Sequence, residues 1–250
     1  GTVTGSANFA AAANAANVTG GGADAANANA QVNTVDGLVS LSGDGIDISS
    51  DAGIQGLASI DLASAAQSTG ATGAATTATA TSDATTLKGA ELNSLTDIGG
   101  VGSITGQTNF AGSADAANVT DGNSTSTASL NDADGLEGKD LIDVSSDAGL
   151  TGLNDVDLTA SAASTGSAAL PTTASSTAEA TTLQGAQLSN NTEIGGVGTI
   201  GGQVDFNGSA ASSNVTGNAD ATGSLASLAQ GLRTEVNSDP DKFGTDISSD

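Results

Sequence analysis

The chain has no Cys, His, Met, Trp or Tyr, two Pro, four Phe, and four basic residues against 28 acidic ones in 250. Each shortage excludes something. Without His and Cys there is no Ser-His-Asp or Cys-His nucleophile pair, no ordinary haem ligand and no structural zinc site. Only carboxylate or lysine chemistry remains, and the sequence reads as non-enzymatic. A formal charge of −24 repels phosphate backbones and anionic headgroups, which argues against nucleic acid and membrane-surface partners. No apolar run approaches the ~18 residues of a membrane helix, and no signal-peptide pattern is present. The lack of cysteine suits a secreted bacterial protein and a cytosolic one equally.

What is present is small. Glycine supplies 35 residues, and most of the 37% apolar fraction is alanine. A core built from such side chains is thin, and composition alone is as compatible with disorder as with folding. The chain starts at Gly1 rather than Met and stops inside the motif TDISSD, which predicts a segment of a longer polypeptide.

Internal repetition gives the composition an order. The stretch IDISSDAGIQGLASIDL from Ile46 returns as IDVSSDAGLTGLNDVDL from Ile142, and TTLKGAEL from Thr85 returns as TTLQGAQL from Thr181, both at an offset of 96. The N-terminal GTVTGSANF is a further copy of GSITGQTNF from Gly102. Repeat units therefore span 1–101, 102–197 and a partial 198–250. VDLTASAAS at Val156 resembles VDFNGSAAS at Val204, half that offset away, and LEGKDL at Leu136 resembles LQGAQL at Leu183. The chain thus divides into five modules of roughly 48 residues.

One aligned position reads Phe9, Leu62, Phe110, Leu158, Phe206, a candidate core ladder holding three of the four Phe. The position before it reads Asn8, Asp61, Asn109, Asp157, Asp205 and faces the opposite way on a strand. Period-2 runs such as ATTATATS and glycine-broken apolar stretches such as IGGVGTIGGQVDF favour short strands and bends. The predicted fold is all-β, a β-solenoid with a thin Ala/Val/Leu/Ile core. A single 48-residue turn would have a perimeter of about 160 Å, so two coils of about 24 residues per module are expected. The segment near 225–243 reads as an insertion: Leu225, Leu228, Leu232 and Val236 have helical spacing ahead of the turn signal Asp239-Pro240-Asp241.

The clearest chemical constellation is acidic. Asp44, Asp47 and Asp51, then Asp140, Asp143 and Asp147, then Asp246 and Asp250 occupy corresponding DxxDxSSD-like stretches. Oxygen-rich ligands near glycine suit Ca2+, although the spacing matches neither an EF-hand nor the GGxGxD repeat. The competing reading is solvated turn acids that satisfy backbone N–H groups. Asn-Val-Thr at Asn17, Asn118 and Asn214 is formally a glycosylation sequon, but its in-register recurrence favours an Asn ladder or turn role. Gly99-Gly100 and Gly195-Gly196 lack a P-loop lysine and read as bends. The threonines of ATTATATS invite an ice-binding reading, against which stands a threonine spacing that does not recur in every module.

The GGVGxIxGxxxF and IxxSSDAGxxGL blocks, in this Ala/Gly/Ser/Thr/Asp background, resemble the giant repetitive secreted surface proteins of bacteria, cyanobacterial ones included, and large fibrous adhesins. The resemblance implies export, location outside the cell or on its surface, and filament or matrix formation. The corresponding expectation is a structural component of an extracellular fibre that associates with copies of itself or neighbouring repeats and touches cell-surface polysaccharide. Alternatives are a calcium-rigidified adhesin stalk of Ig-like or solenoid units and a phage tail-fibre segment.

Overall fold

The computed structural model describes residues 2–18, 25–39, 47–48, 53–69, 76–93, 96–98, 103–118, 121–139, 142–144, 149–165, 172–188, 192–195, 199–214, 218–234 and 246–248. Among these there are fifteen strands and no helix. They fall into five consecutive triplets of long, long and short. The first is β1 (Thr2–Val18), β2 (Ala25–Val39) and β3 (Asp47–Ile48), and the second β4 (Gly53–Thr69), β5 (Thr76–Asn93) and β6 (Thr96–Ile98). Next come β7 (Ser103–Asn118), β8 (Gly122–Lys139) and β9 (Ile142–Val144), then β10 (Gly149–Ser164), β11 (Thr173–Leu188) and β12 (Thr192–Gly195). The last is β13 (Thr199–Asn214), β14 (Asn218–Thr234) and β15 (Asp246–Ser248).

Every pairing is parallel and links a strand to its counterpart in the next triplet. Sheet A runs β1-β4-β7-β10-β13, sheet B β2-β5-β8-β11-β14 and sheet C β3-β6-β9-β12-β15. Each triplet is therefore one coil of a three-sided β-solenoid. Along sheet A the glycines Gly5, Gly56, Gly106, Gly152 and Gly202 are successive partners, so one coil carries the chain from each to the next.

This corrects the coil count: a module is one coil, not two. The expectation of two coils rests on strands of ordinary length, and the strands of sheets A and B are far longer than that. The coil is flattened. Its long strands, from the 15 residues of β2 to the 18 residues of β5, pack as sheets A and B back to back across a thin core. Small side chains suit that separation, which is why an alanine-rich chain folds this way. Ala58, Ala78, Ala80, Ala84, Ala114, Ala128 and Ala178 are all fully buried.

At one level the two sheets touch through their backbones. Gly5, Gly56, Gly106 and Gly152 of sheet A stand opposite Gly37, Gly89, Gly135 and Gly185 of sheet B. A Cβ on Gly106 would collide with the Gly135 carbonyl oxygen, and one on Gly135 would lie 2.5 Å from the Leu153 nitrogen. Only glycine permits this approach, and it pinches the coil closed beside the apolar core.

Bulky residues alternate with small ones from coil to coil. In register, the row reads Phe9, Ile60, Phe110, Val156, Phe206: Ile60, Phe110 and Val156 are buried, Phe206 is partly buried, and Phe9 in the first coil is exposed. Leu62 and Leu158 are buried two residues further along, and their row is Ala11, Leu62, Gly112, Leu158, Gly208. Of the expected Phe9-Leu62-Phe110-Leu158-Phe206 ladder, Leu62, Phe110 and Leu158 are buried and Phe9 is exposed, and both leucines are two residues out of register with the phenylalanines. The cause is packing. The Phe110 ring lies across Gly112, where an added Cβ would meet the ring and the Leu158 Cδ2 at 3.0 Å. Sheet B shows the same alternation of residue size in the row Val32, Ala84, Leu130, Ala180, Leu225. The 96-residue repeat is the shortest unit that contains both kinds of coil, and units 1–101 and 102–197 each hold two coils.

Two other expectations change. Leu136 pairs with Ala186, not Leu183, because β8 and β11 keep one register along their length, with their glycines Gly135 and Gly185 both packed against sheet A. The segment with helical spacing is a strand: β14 continues to Thr234 and pairs with β11, Leu225 opposite Ala180 and Leu228 opposite Leu183. A parallel template of matching length overrides the local period of its leucines. Val236 and the Asp239-Pro240-Asp241 turn lie outside the described residues.

Candidate functional site

With no buried cleft of catalytic side chains among the described residues, the candidate surfaces are the three faces of the coil, each generated by the parallel register.

Sheet C carries an acidic row. Asp47 pairs with Asp97, Asp97 with Asp143, Asp143 with Glu193 and Glu193 with Asp246, so all five coils contribute one acidic residue to one line. The next position holds Ile48, Ile98, Val144, Ile194 and Ile247. Of the predicted metal candidates, Asp47, Asp143 and Asp246 are brought into this row. Asp44, Asp51, Asp140, Asp147 and Asp250 lie outside the described residues. Sequence reasoning misses Asp97 and Glu193, although TDIGG and TEIGG occupy the coil position of IDISS and IDVSS. Neighbouring carboxylates spaced about 4.8 Å apart repel by roughly 0.9 kcal/mol per step in water before salt screening. Hard cations that accept several carboxylate oxygens relieve such repulsion. Among the described side chains no group of three or more acidic residues is arranged to hold a metal, and the sheet C side chains are outside that set.

Sheet A displays the outward Asp and Asn residues, but the expected single ladder is two rows. One reads Asn8, Ser59, Asn109, Asp155, Asp205 and the other Ala10, Asp61, Ala111, Asp157, Asn207. Asp61 and Asp157 are separated by the alanine rung and line a small hollow that Gly112 also borders. Amides tie this face together: Gln203 donates to Asp205 at 2.9 Å and Gln107 to Asn109 at 3.1 Å.

An ionic clasp joins coils two and three. Lys88 Nζ lies 2.5 Å from Glu91 Oε2 and 2.7 Å from Glu137 Oε2, and all three side chains are at most 15% exposed. Asp36 and Asp134 flank Lys88 in register. One of four basic residues thus sits among four acidic ones drawn from three coils, holding adjacent coils in place through charge-assisted hydrogen bonds.

The sequon asparagines of coils three and five turn inward. Asn118 is buried and donates to Thr76 Oγ1 at 2.8 Å, while Asn214 donates to the Thr172 carbonyl at 2.6 Å and accepts from Thr172 Oγ1 at 3.1 Å. Their row alternates with serine: Asn17, Ser68, Asn118, Ser164, Asn214. These amides fasten the end of a sheet A strand to the start of sheet B, a structural use that buries the Asn118 nitrogen. Deeper inside, Asn154 donates to the carbonyls of Ala133 at 2.8 Å and Gln184 at 2.5 Å and accepts from Thr108.

On the outer face of sheet B, Thr79, Thr125 and Ser175 form one row that Asp220 continues, Thr81, Thr127 and Thr177 form the next, and Asp83, Ser129 and Glu179 the one after. Beside them, Asn123 Oδ1 accepts from Thr173 N and Oγ1 at 2.8 and 2.9 Å.

No protein-family model, curated protein or solved structure matches the chain. Its class is defined by its own geometry, a parallel three-sided β-solenoid built from alternating coils.

Proposed function

We propose that this chain is a structural rod, a stretch of an extracellular or cell-surface fibre whose function lies in its length, stiffness and surface. The single observation that carries this reading is the continuous parallel pairing of sheets A and B through all five coils. Each coil buries its faces only by stacking on its neighbours, so such an assembly extends indefinitely along one axis without changing its cross-section. Its exterior of Asp, Asn, Ser and Thr keeps a fibre hydrated, and the scarcity of Lys, Arg and aromatics removes most sites for common proteases. The absence of His and Cys and the engagement of Lys88 in an ionic clasp support a non-catalytic role.

The test is electron microscopy of tandem fusions of the chain. Rods of constant width that lengthen by about 24 Å per added five-coil copy are expected. Flexible beads would contradict the proposal.

A second reading, a calcium-rigidified stalk, is favoured by the sheet C acidic row. The Ig-like form of that alternative does not apply, since the sheets are parallel. In this reading Asp47, Asp97, Asp143, Glu193 and Asp246 hold cations between coils. Calcium is then expected to raise the unfolding temperature above that in chelator, and Asp143→Asn with Glu193→Gln to abolish the difference. A melting curve indifferent to calcium would leave the row as a solvated face.

A further inference from the structure

The coils are of two kinds. The odd-numbered coils carry Phe, then Ala or Gly, then Asn in three inward rows of sheet A, where the even-numbered coils carry Ile or Val, then Leu, then Ser. Sheet B follows, with Val or Leu alternating with Ala in the row of Val32. At the corner between the sheets, Thr76 of coil two pairs with Gly122 of coil three, where a Cβ would collide with the Asn118 amide. The asparagines give the stack a direction. Asn118 of coil three donates to Thr76 of coil two, and Asn214 of coil five donates to the Thr172 carbonyl of coil four, so each fastens an odd coil to the even coil before it. Asn17 holds the same place in coil one, and its side chain makes no hydrogen bond to any described residue. On the same coil Val3, Phe9 and Val39 are 45%, 37% and 39% exposed, and they are the exposed large apolar side chains among the described residues. β1 also lacks the charged residues that usually guard an edge strand, whereas β13 at the other end has Asp205.

We infer that the open face of coil one is a docking surface for a coil of the even kind, presented end-on by a neighbouring stretch of the fibre. The inference rests on the fibre reading and adds a pairing rule to it. The occupant continues the interface that already joins coils two and three. It brings a β-branched aliphatic to the row of Phe9, Leu over Ala11, Ser beside Asn17 and a corner Thr within reach of the Asn17 amide. Docking buries the Phe9 ring and gives that amide a partner. A second copy of this chain is the poorer occupant, because its coil five presents Phe206, Gly208 and Asn214 in those rows. Two rings then compete for one row while two small residues leave a gap in the next. Such a junction still pairs its backbones, so tandem copies form a rod in which the like-on-like contact is the weakest.

The test joins one coil ahead of Thr2 in the full chain and reads hydrogen exchange of the β1 amides. One extension copies residues 149–198, an even coil that natively runs into Thr199, the counterpart of Thr2 in the stack. The other copies 103–148, an odd coil. The even extension is expected to slow exchange in β1 by about tenfold or more relative to the odd one, with exchange in β7 unchanged as the control for an intact fold. Phe110→Val with Gly112→Leu, placed in the added odd coil only, is expected to recover most of that protection. Equal protection from the two extensions, or no recovery in the double variant, would overturn the pairing rule and leave the rod standing. If neither extension protects β1, the rod reading falls as well.

Discussion

Gly152 of sheet A and Gly185 of sheet B meet backbone to backbone: the space a Cβ of Gly152 would need is taken by the Gly185 carbonyl. The same contact recurs in each of the first four coils. It sets how close the sheets come, and with it which side chains fit between them.

Alanine at this contact has nowhere to go, because the obstacle is backbone and not the end of a flexible side chain. Gly152→Ala is expected to destabilise the fold by more than about 3 kcal/mol in chemical denaturation. Gly201, the register partner of Thr151, has no atom within 4 Å of the place a Cβ would occupy. Gly201→Ala is expected to be neutral or to stabilise by about 0.5 kcal/mol through the entropy of the unfolded chain.

The lean of Phe110 across Gly112 predicts a coupling. Gly112→Ala alone is expected to cost about 1 kcal/mol, since its Cβ would press on the ring and on Leu158. In a Phe110→Leu background the same change is expected to cost nothing or to help, as the smaller side chain leaves a gap there. A double-mutant cycle by thermal or denaturant unfolding reads the coupling, and additivity would contradict this packing.

Buried polar groups divide into satisfied and unsatisfied ones. Asn154 serves three partners, so Asn154→Val is expected to cost about 2–4 kcal/mol by stranding the carbonyls and the Thr108 hydroxyl. Ser126 is fully buried and its hydroxyl has no partner among the described residues. Ser126→Ala is expected to stabilise by about 1 kcal/mol, measured from the same unfolding curves.

Removing the clasp leaves its acids facing one another. Lys88→Met is expected to cost about 2–3 kcal/mol, below the figure for a fully buried pair because the groups retain some solvent. Adding Glu137→Gln should recover part of that loss, which comparison of the two melting curves reports.

Much of this fold is legible in the sequence because repetition is its cause. The recurrence of the Ile46 stretch at Ile142 and the alternation around Phe110 identify a solenoid and its inward face. What the sequence conceals is register. VDLTASAAS and VDFNGSAAS align best with Val156 on Val204, yet the backbone contact of the glycine rows sets Val156 beside Phe206. Side-chain similarity between neighbouring coils misleads because neighbours must be complementary, large over small, and only next-nearest coils are alike. The helical spacing of Leu225, Leu228 and Leu232 misleads for a related reason, since β14 takes its conformation from the strand beside it. The acidic row of sheet C is half visible in the sequence. Its three Asp in repeated motifs stand out, whereas Asp97 and Glu193 sit in the GG-containing counterpart and become partners only through pairing.

One coil consumes a whole module, so the 96-residue repeat climbs two rungs. Asp61 and Asp157 are exposed, occupy equivalent places in successive repeats and share an outward row. The chain has no native cysteine, so Asp61→Cys and Asp157→Cys can carry a clean pair of spin labels. Dipolar electron paramagnetic resonance is expected to report a separation of about 10 Å, two strand spacings. A separation of about 19 Å, four spacings, would mean two coils per module and would contradict the account.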